Sequence, residues 1–252
     1  MKTSTEHALA KVPEVTLGFW LIKIAATTLG ETGGDAVSMS MNLGYLVGTA
    51  IFAAIFLAAV VAQVKAKDFH PFLYWTTIIA TTTVGTTLAD FADRSLGIGY
   101  AGGSSLLLAL LLGSLFVWHR TLGSVSVSTV SSPKAEAFYW LTIMFSQTLG
   151  TALGDWTADT AGLGYTGAAV VFGGLLALVV AAYYWTSVSR TLLFWAAFIL
   201  TRPLGAVVRD FLDKPVSAGG LALSRYSASA ALLTFIVVAI LLFRQRAART
   251  AH

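Results

Sequence analysis

A fourfold internal repeat constrains this chain more than any other feature. Trp20, Trp75, Trp140 and Trp195 are each followed ten residues later by a glycine, at Gly30, Gly85, Gly150 and Gly205. Five residues beyond each glycine stands an aspartate: Asp35, Asp90, Asp155 and Asp210. In three copies a tyrosine comes ten residues after that, at Tyr45, Tyr100 and Tyr165; the fourth reaches Tyr226 after a six-residue insertion. A chain with only seven tryptophans does not acquire this spacing by chance.

Each copy reads as a helix of about 22 residues holding the signature, a tight glycine-bearing turn and a second apolar helix. The second helices are expected over 45–64, 100–119, 165–184 and 226–243. The chain is 56% hydrophobic and 11% charged, against about a quarter charged in soluble domains, so the helices are expected to cross a membrane. The expected fold is an all-α polytopic membrane protein with eight transmembrane helices from four parallel two-helix repeats. Two helices per copy give every copy the same orientation, hence pseudo-symmetry about the membrane normal and acids at one depth. Tails and inter-copy connections hold ten lysines and arginines and the opposite turns three, which puts both termini in the cytoplasm. The first 14 residues are polar, so targeting falls to the first spanning helix. Trp118 and Trp185, ending second helices, read as interfacial anchors. The aspartates are 55, 65 and 55 residues apart; the extra ten form a Ser-rich stretch, 124–133. That stretch is expected to link a first half, 1–123, to a second, 134–252, within one integral membrane domain.

With no cysteine and four histidines, soft-metal and thiol chemistry is excluded and oxygen ligands remain. Eight of twelve acids lie in the four signatures, and carboxylates near hydrocarbon are normally kept for ions or protons. The candidate metal ligands are Glu31, Asp35, Asp90, Asp93, Asp155, Asp159 and Asp210. Helix capping is the structural alternative for Asp93, Asp159 and Asp213; Glu31, one turn deeper, is the strongest single candidate. Thr27, Thr82 and Gln147, three residues before their glycines, form an expected polar lining, with Arg202 at the equivalent place in the fourth copy. The glycines either permit close helix packing or mark local unwinding. Lys23, Arg202 and Arg209 break the repeat and are expected charge partners: Lys23 for an acid of another copy, Arg209 for a neighbouring carboxylate. One asymmetric site resting on Glu31, Asp35, Asp90 and Asp155 follows.

From about residue 13 to 243, the tryptophans and their Gly-x4-Asp segments resemble a bacterial family of uncharacterised membrane-anchored proteins. That family is defined by four tandem two-helix repeats of unknown function, each with a characteristic tryptophan. The fourth copy departs from it with Pro203, Arg209 and the insertion before Tyr226. The resemblance implies an architecture and a bacterial inner membrane, and no substrate.

The residues favour a transporter of a hard divalent cation, manganese or magnesium, through the acidic site, with proton-coupled efflux as the direction. The alternatives are a proton-coupled carrier of a small organic solute and a non-transporting membrane scaffold. An enzyme is least favoured, since no nucleophile–base pair or phosphate loop stands out, and no cofactor is expected. The expected partners are the cation, protons and lipid, with a homo-oligomer compatible. Basic residues sit in short connections and not along one face, which argues against nucleic acid despite a net charge of +4.

Overall fold

A computed structural model describes residues 10–97, 99–157 and 161–248. Among them are eight α-helices and no strand beyond one isolated bridge, Pro13 to Ala247. They are α1 (Leu17–Asp35), α2 (Gly44–Lys65), α3 (Pro71–Asp90), α4 (Tyr100–Leu122), α5 (Pro133–Asp155), α6 (Gly164–Trp185), α7 (Arg190–Asp213) and α8 (Arg225–Leu242). The second helices fall where expected, within a few residues.

Local chemistry sets the boundaries. The Thr16 hydroxyl caps α1 by accepting from the Phe19 amide, and Ser132 does the same for α5 at Ala135. Proline opens α3 and α5, where its missing N–H costs nothing. In the first two copies the signature aspartate ends the α-helix and a π turn follows, at Ala36–Ser40 and Phe91–Ser95. The chain then reverses through two left-handed residues at fixed spacing: Asn42 and Gly44, Gly97 and Gly99, and in the third copy Gly162 and Gly164. Glycine adopts that conformation without strain, which accounts for the turn composition.

The first helices form the centre. α1 packs on α3 and α7, and α5 packs on α3 and α7, closing a four-helix ring. Each second helix packs outside, against the first helix of the next copy: α2 on α3, α4 on α5, α6 on α7. The last, α8, returns to α1. Lipid-type surface lies outside, where Leu46, Leu57, Leu106, Phe116, Val170, Leu178 and Leu241 are exposed. Five helices, α2, α4, α6, α7 and α8, are long and apolar enough to cross a membrane. α1, α3 and α5 fall short because threonines, glycines and acids occupy them. Helices largely screened by protein need little apolar surface of their own.

One end of the ring is filled by aromatics. Phe19, Tyr74, Tyr139 and Phe194 are buried, each immediately before a signature tryptophan, and the Tyr74 and Tyr139 hydroxyls share a 2.6 Å hydrogen bond. Trp75, Trp140 and Trp195 are buried beside them, and Trp20 is half-buried. Trp118 corrects the expectation of an interfacial anchor: it is fully buried, edge-on to Tyr139 and Trp195. Trp185, by contrast, is 83% exposed. Residues 124–133 are packed against the core, with Val127 and Val130 buried and the Trp195 indole N–H donating to the Val125 carbonyl at 3.1 Å.

A strap closes the same end. Residues 10–15 lie between the C-terminal segment and the 124–133 stretch, through Glu14 N–H to Arg246 O, Ala248 N–H to Val12 O and Lys11 N–H to Val130 O. The Lys11 ammonium reaches the fully buried Glu136 at 2.7 Å and donates to the Gln63 and Val64 carbonyls at the end of α2.

Candidate functional site

The four signature glycines lock the inner ring together. A Cβ on Gly30 would strike Thr82; on Gly85, the Gln147–Thr148 backbone at 2.9 Å; on Gly150, Arg202; on Gly205, Thr27. Each glycine therefore seats the residue three places before the glycine of the next copy, and the fourth seats that of the first. This settles their role as close packing, with continuous helix through all four. It also brings the expected lining, Thr27, Thr82, Gln147 and Arg202, to one level of the ring, all fully buried.

One turn toward the aspartates, the equivalent positions are Glu31, Thr86, Thr151 and Ala206. Arg202 reaches this level and gathers its three polar members. Its guanidinium lies 2.6 Å from Glu31 Oε1 and donates to the hydroxyls of Thr86 at 2.5 Å and Thr151 at 2.7 Å. Thr151 also donates to Glu31 Oε1 at 3.3 Å. The pair spans the first and fourth copies with Arg202 wholly buried, so attraction is little screened and loss of either partner strands a charge. The small Ala206 leaves the fourth corner open for the Arg202 side chain.

A second cation cluster sits beyond it. Arg209 is paired with Asp35 of α1 and with Asp210 at 2.7 Å, and lies 3.5 Å from Asp213. Arg225 adds longer contacts to Asp35 and Asp213 and donates to the Ser40 hydroxyl. The expected roles of Arg202 and Arg209 as charge partners are therefore seen, with Glu31 and Asp35 as their cross-copy acids. A small polar cleft opens here between α1, α5, α6 and α7, lined by Glu31, Asp155, Arg209 and Asp210.

Other expectations fare differently. Lys23 meets no acid: it is fully buried, its ammonium lies 4.0 Å from the Phe198 ring centre, and no hydrogen-bond acceptor reaches it. Its level of the ring, seven residues before each glycine, otherwise consists of Ile78, Ile143 and Phe198, so no acid was in reach. Asp90 is buried and Asp93 half-buried on the α3 side, while Asp159 lies outside the described residues. Among the described residues no three His, Asp or Glu converge to hold a metal ion, and three of the expected ligands, Glu31, Asp35 and Asp210, are engaged by arginines. Neither Asp35 nor Asp90 caps the turn that follows it.

The sequence reading missed the Tyr74–Tyr139 layer and the Lys11–Glu136 strap. The first was signalled by an aromatic before every signature tryptophan; the second had no pattern to find, because a lone pair carries no repeat.

No curated protein and no solved structure matches the chain. Its repeats do have relatives: residues 18–69, 73–124, 138–189 and 193–248 each match one repeat family, leaving 125–137 between the second and third copies. With four matched segments spanning most of its length, the chain belongs to the family described as Repeat of Unknown Function (DUF347).

Proposed function

We propose that this protein is a proton-coupled secondary transporter of the bacterial inner membrane, in which the Glu31–Arg202 pair is the protonation switch. In this reading all eight helices span the bilayer and the four copies are related by rotation about its normal. Both termini are cytoplasmic, as the ten-to-three lysine and arginine bias favours. The observation that carries the proposal is the buried pair itself. An ion pair fully inside a spanning bundle is costly, is weak evidence for stability, and is by default a functional feature.

The chemistry is simple. Glu31 lines the polar cleft, so a proton arriving there reaches its carboxylate. Once protonated, Glu31 no longer balances Arg202, whose guanidinium keeps only neutral acceptors: the Thr86 and Thr151 hydroxyls and the Thr82 carbonyl. The α1–α7 contact then keeps the Arg209–Asp35 pair but loses the deeper of its two ion pairs, and the ring is biased toward a second arrangement. Release of the proton restores the pair. No step is catalytic, so the reading is transport and not an enzyme.

The test uses proteoliposomes with an internal pH reporter, challenged with a panel of divalent cations, small anions and neutral solutes. Wild type is expected to couple one of these to proton movement, and Glu31→Gln to lose at least about tenfold of it. Equal coupled flux in the two proteins would refute the switch.

A second reading keeps the hard cation, manganese or magnesium, because Glu31, Asp155 and Asp210 line the same cleft. Arg209 in that cleft opposes it. Radiolabelled manganese flux that drops in both Asp155→Asn and Glu31→Gln supports the cation; flux identical to wild type in both sinks it.

A further inference from the structure

The inner ring holds a second set of polar groups that the Glu31–Arg202 switch does not use. Lys23 sits in a layer with Ile78, Ile143 and Phe198, all four fully buried. Four residues on, about 6 Å along the helices, lies the layer of Thr27, Thr82, Gln147 and Arg202. In these two layers and beside them, six buried polar atoms have neither a hydrogen-bond nor an ion-pair partner: Lys23 Nζ, both amide atoms of Gln147, the hydroxyls of Thr82 and Ser146, and Arg202 Nε. Unspent groups at this density in a close-packed core call for an explanation.

Their chemistry points one way. Five of the six are donors: an ammonium, an amide N–H2, two hydroxyls and a guanidinium N–H. Gln147 Oε1 is the single atom that can only accept. The charge points the same way. Lys23 and Arg202 occupy consecutive layers, and the acid bonded at this centre, Glu31, is committed to Arg202. With Lys23 protonated the centre therefore carries one net positive charge, at a depth where an isolated charge is very costly. A cation would add to that charge, and a neutral polyol would leave it standing. An anion removes it.

We infer that the Lys23–Gln147–Thr82 region is a binding site for a small monoanion, of the size and charge of acetate or chloride, and that one proton is taken up by Lys23 with it. The proton comes from water and adds to the Nζ lone pair; no covalent bond to the anion forms. The Phe198 face holds the ammonium from one side, leaving its N–H groups to the ligand. Gln147 Nε2 and the Thr82 hydroxyl supply the remaining donors. The close packing of the fully buried Ile78, Ile143 and Phe198 around Lys23 selects against larger acids. This inference rests on the transport reading and names its substrate class.

Binding is read on the full-length protein in detergent, from the fluorescence of the tryptophans next to the Lys23 layer, during titration with sodium acetate and sodium chloride. Sodium gluconate at equal ionic strength is the size control. A pH indicator in weak buffer reports proton uptake. Wild type is expected to saturate with acetate or chloride but not gluconate, taking up about one proton per chain. Lys23→Met loses at least tenfold in affinity and takes up no proton. Lys23→Arg, permanently charged, still binds but without proton uptake. Gln147→Leu, which leaves Lys23 in place, weakens binding severalfold if Lys23→Met proves unstable. Glu31→Gln still binds the anion although coupled flux is lost, which separates the two proposals. The anion site is overturned if folded wild type binds neither anion saturably, or if Lys23→Met and Gln147→Leu bind as wild type does.

Discussion

At the scale of single residues, the glycines make the sharpest prediction. Gly150 stands where a Cβ would drive into the Arg202 stem, which cannot retreat because its head is held by Glu31, Thr86 and Thr151. Gly33, three residues past a signature glycine, has nothing within 4 Å of such an atom. Gly150→Ala should therefore cost about 1–3 kcal/mol from overpacking. Gly33→Ala should be neutral or gain up to about 1 kcal/mol from helix propensity. Thermal unfolding in detergent compares them, and equal melting temperatures would show that Gly150 is not a packing glycine. The repeat itself, and Arg202 and Arg209 as charge partners, were legible in the sequence because each either kept or broke a fixed spacing. The partner of Lys23 was not. Charge balance calls for an acid, but only the register of four helices reveals that the Lys23 level offers Ile78, Ile143 and a Phe198 ring. The same holds for Asp90 and Asp155: alignment puts them at one height, and height alone does not bring them within reach of one ion.

At the scale of elements, two features answer to packing and not to local pattern. The inner helices α1, α3 and α5 carry too many threonines to read as spans by hydropathy alone. Their repeat with α7, and their place inside α2, α4, α6 and α8, explains the tolerance. Thr28, Thr77, Thr83 and Thr148 spend their hydroxyls on carbonyls of their own helices, so most of this polarity is already satisfied. The strap formed by residues 10–15 is the second case. Polar and short, it looks like a solvated tail, yet Lys11 is buried against Glu136 and two carbonyls of α2. Lys11→Met should leave the Glu136 carboxylate buried without its cation, at a cost of about 3–5 kcal/mol. Pairing it with Glu136→Leu removes both charges and should recover most of that loss. The measurement is a double-mutant cycle on the unfolding midpoint. Additive effects would mean the 2.7 Å contact contributes nothing, and the strap would then be held by its backbone bonds alone.

At the scale of the whole molecule, the decisive feature is closure. Repeat arrays usually end in caps, because terminal copies lack a neighbour. Here the fourth copy finds its neighbour in the first: Gly205 seats Thr27, α8 packs on α1, and Arg202 and Arg209 cross to Glu31 and Asp35. The two ends of the described residues meet as well, with Ala248 N–H donating to Val12 O at 2.8 Å. A ring closed this way has no intrinsic first helix, so the order of its copies along the chain is largely free. Joining residue 248 to residue 10 through a few glycines and opening the chain in the exposed 186–189 connection should preserve the fold, with a melting temperature within about 5 °C of wild type, the equivalent of roughly 1–2 kcal/mol. Removing the fourth copy should do the opposite. A chain ending at 189 leaves Glu31 and Asp35 without the arginines that balance them and exposes the Gly150 face of α5, so monodisperse protein is not expected in detergent. The two variants separate closure from mere adjacency. If the truncated chain melts as wild type does while the permutant collapses, the first three copies form the stable unit and the fourth is an appendage. If the permutant survives and the truncation fails, the polar centre exists only because the last copy returns to the first.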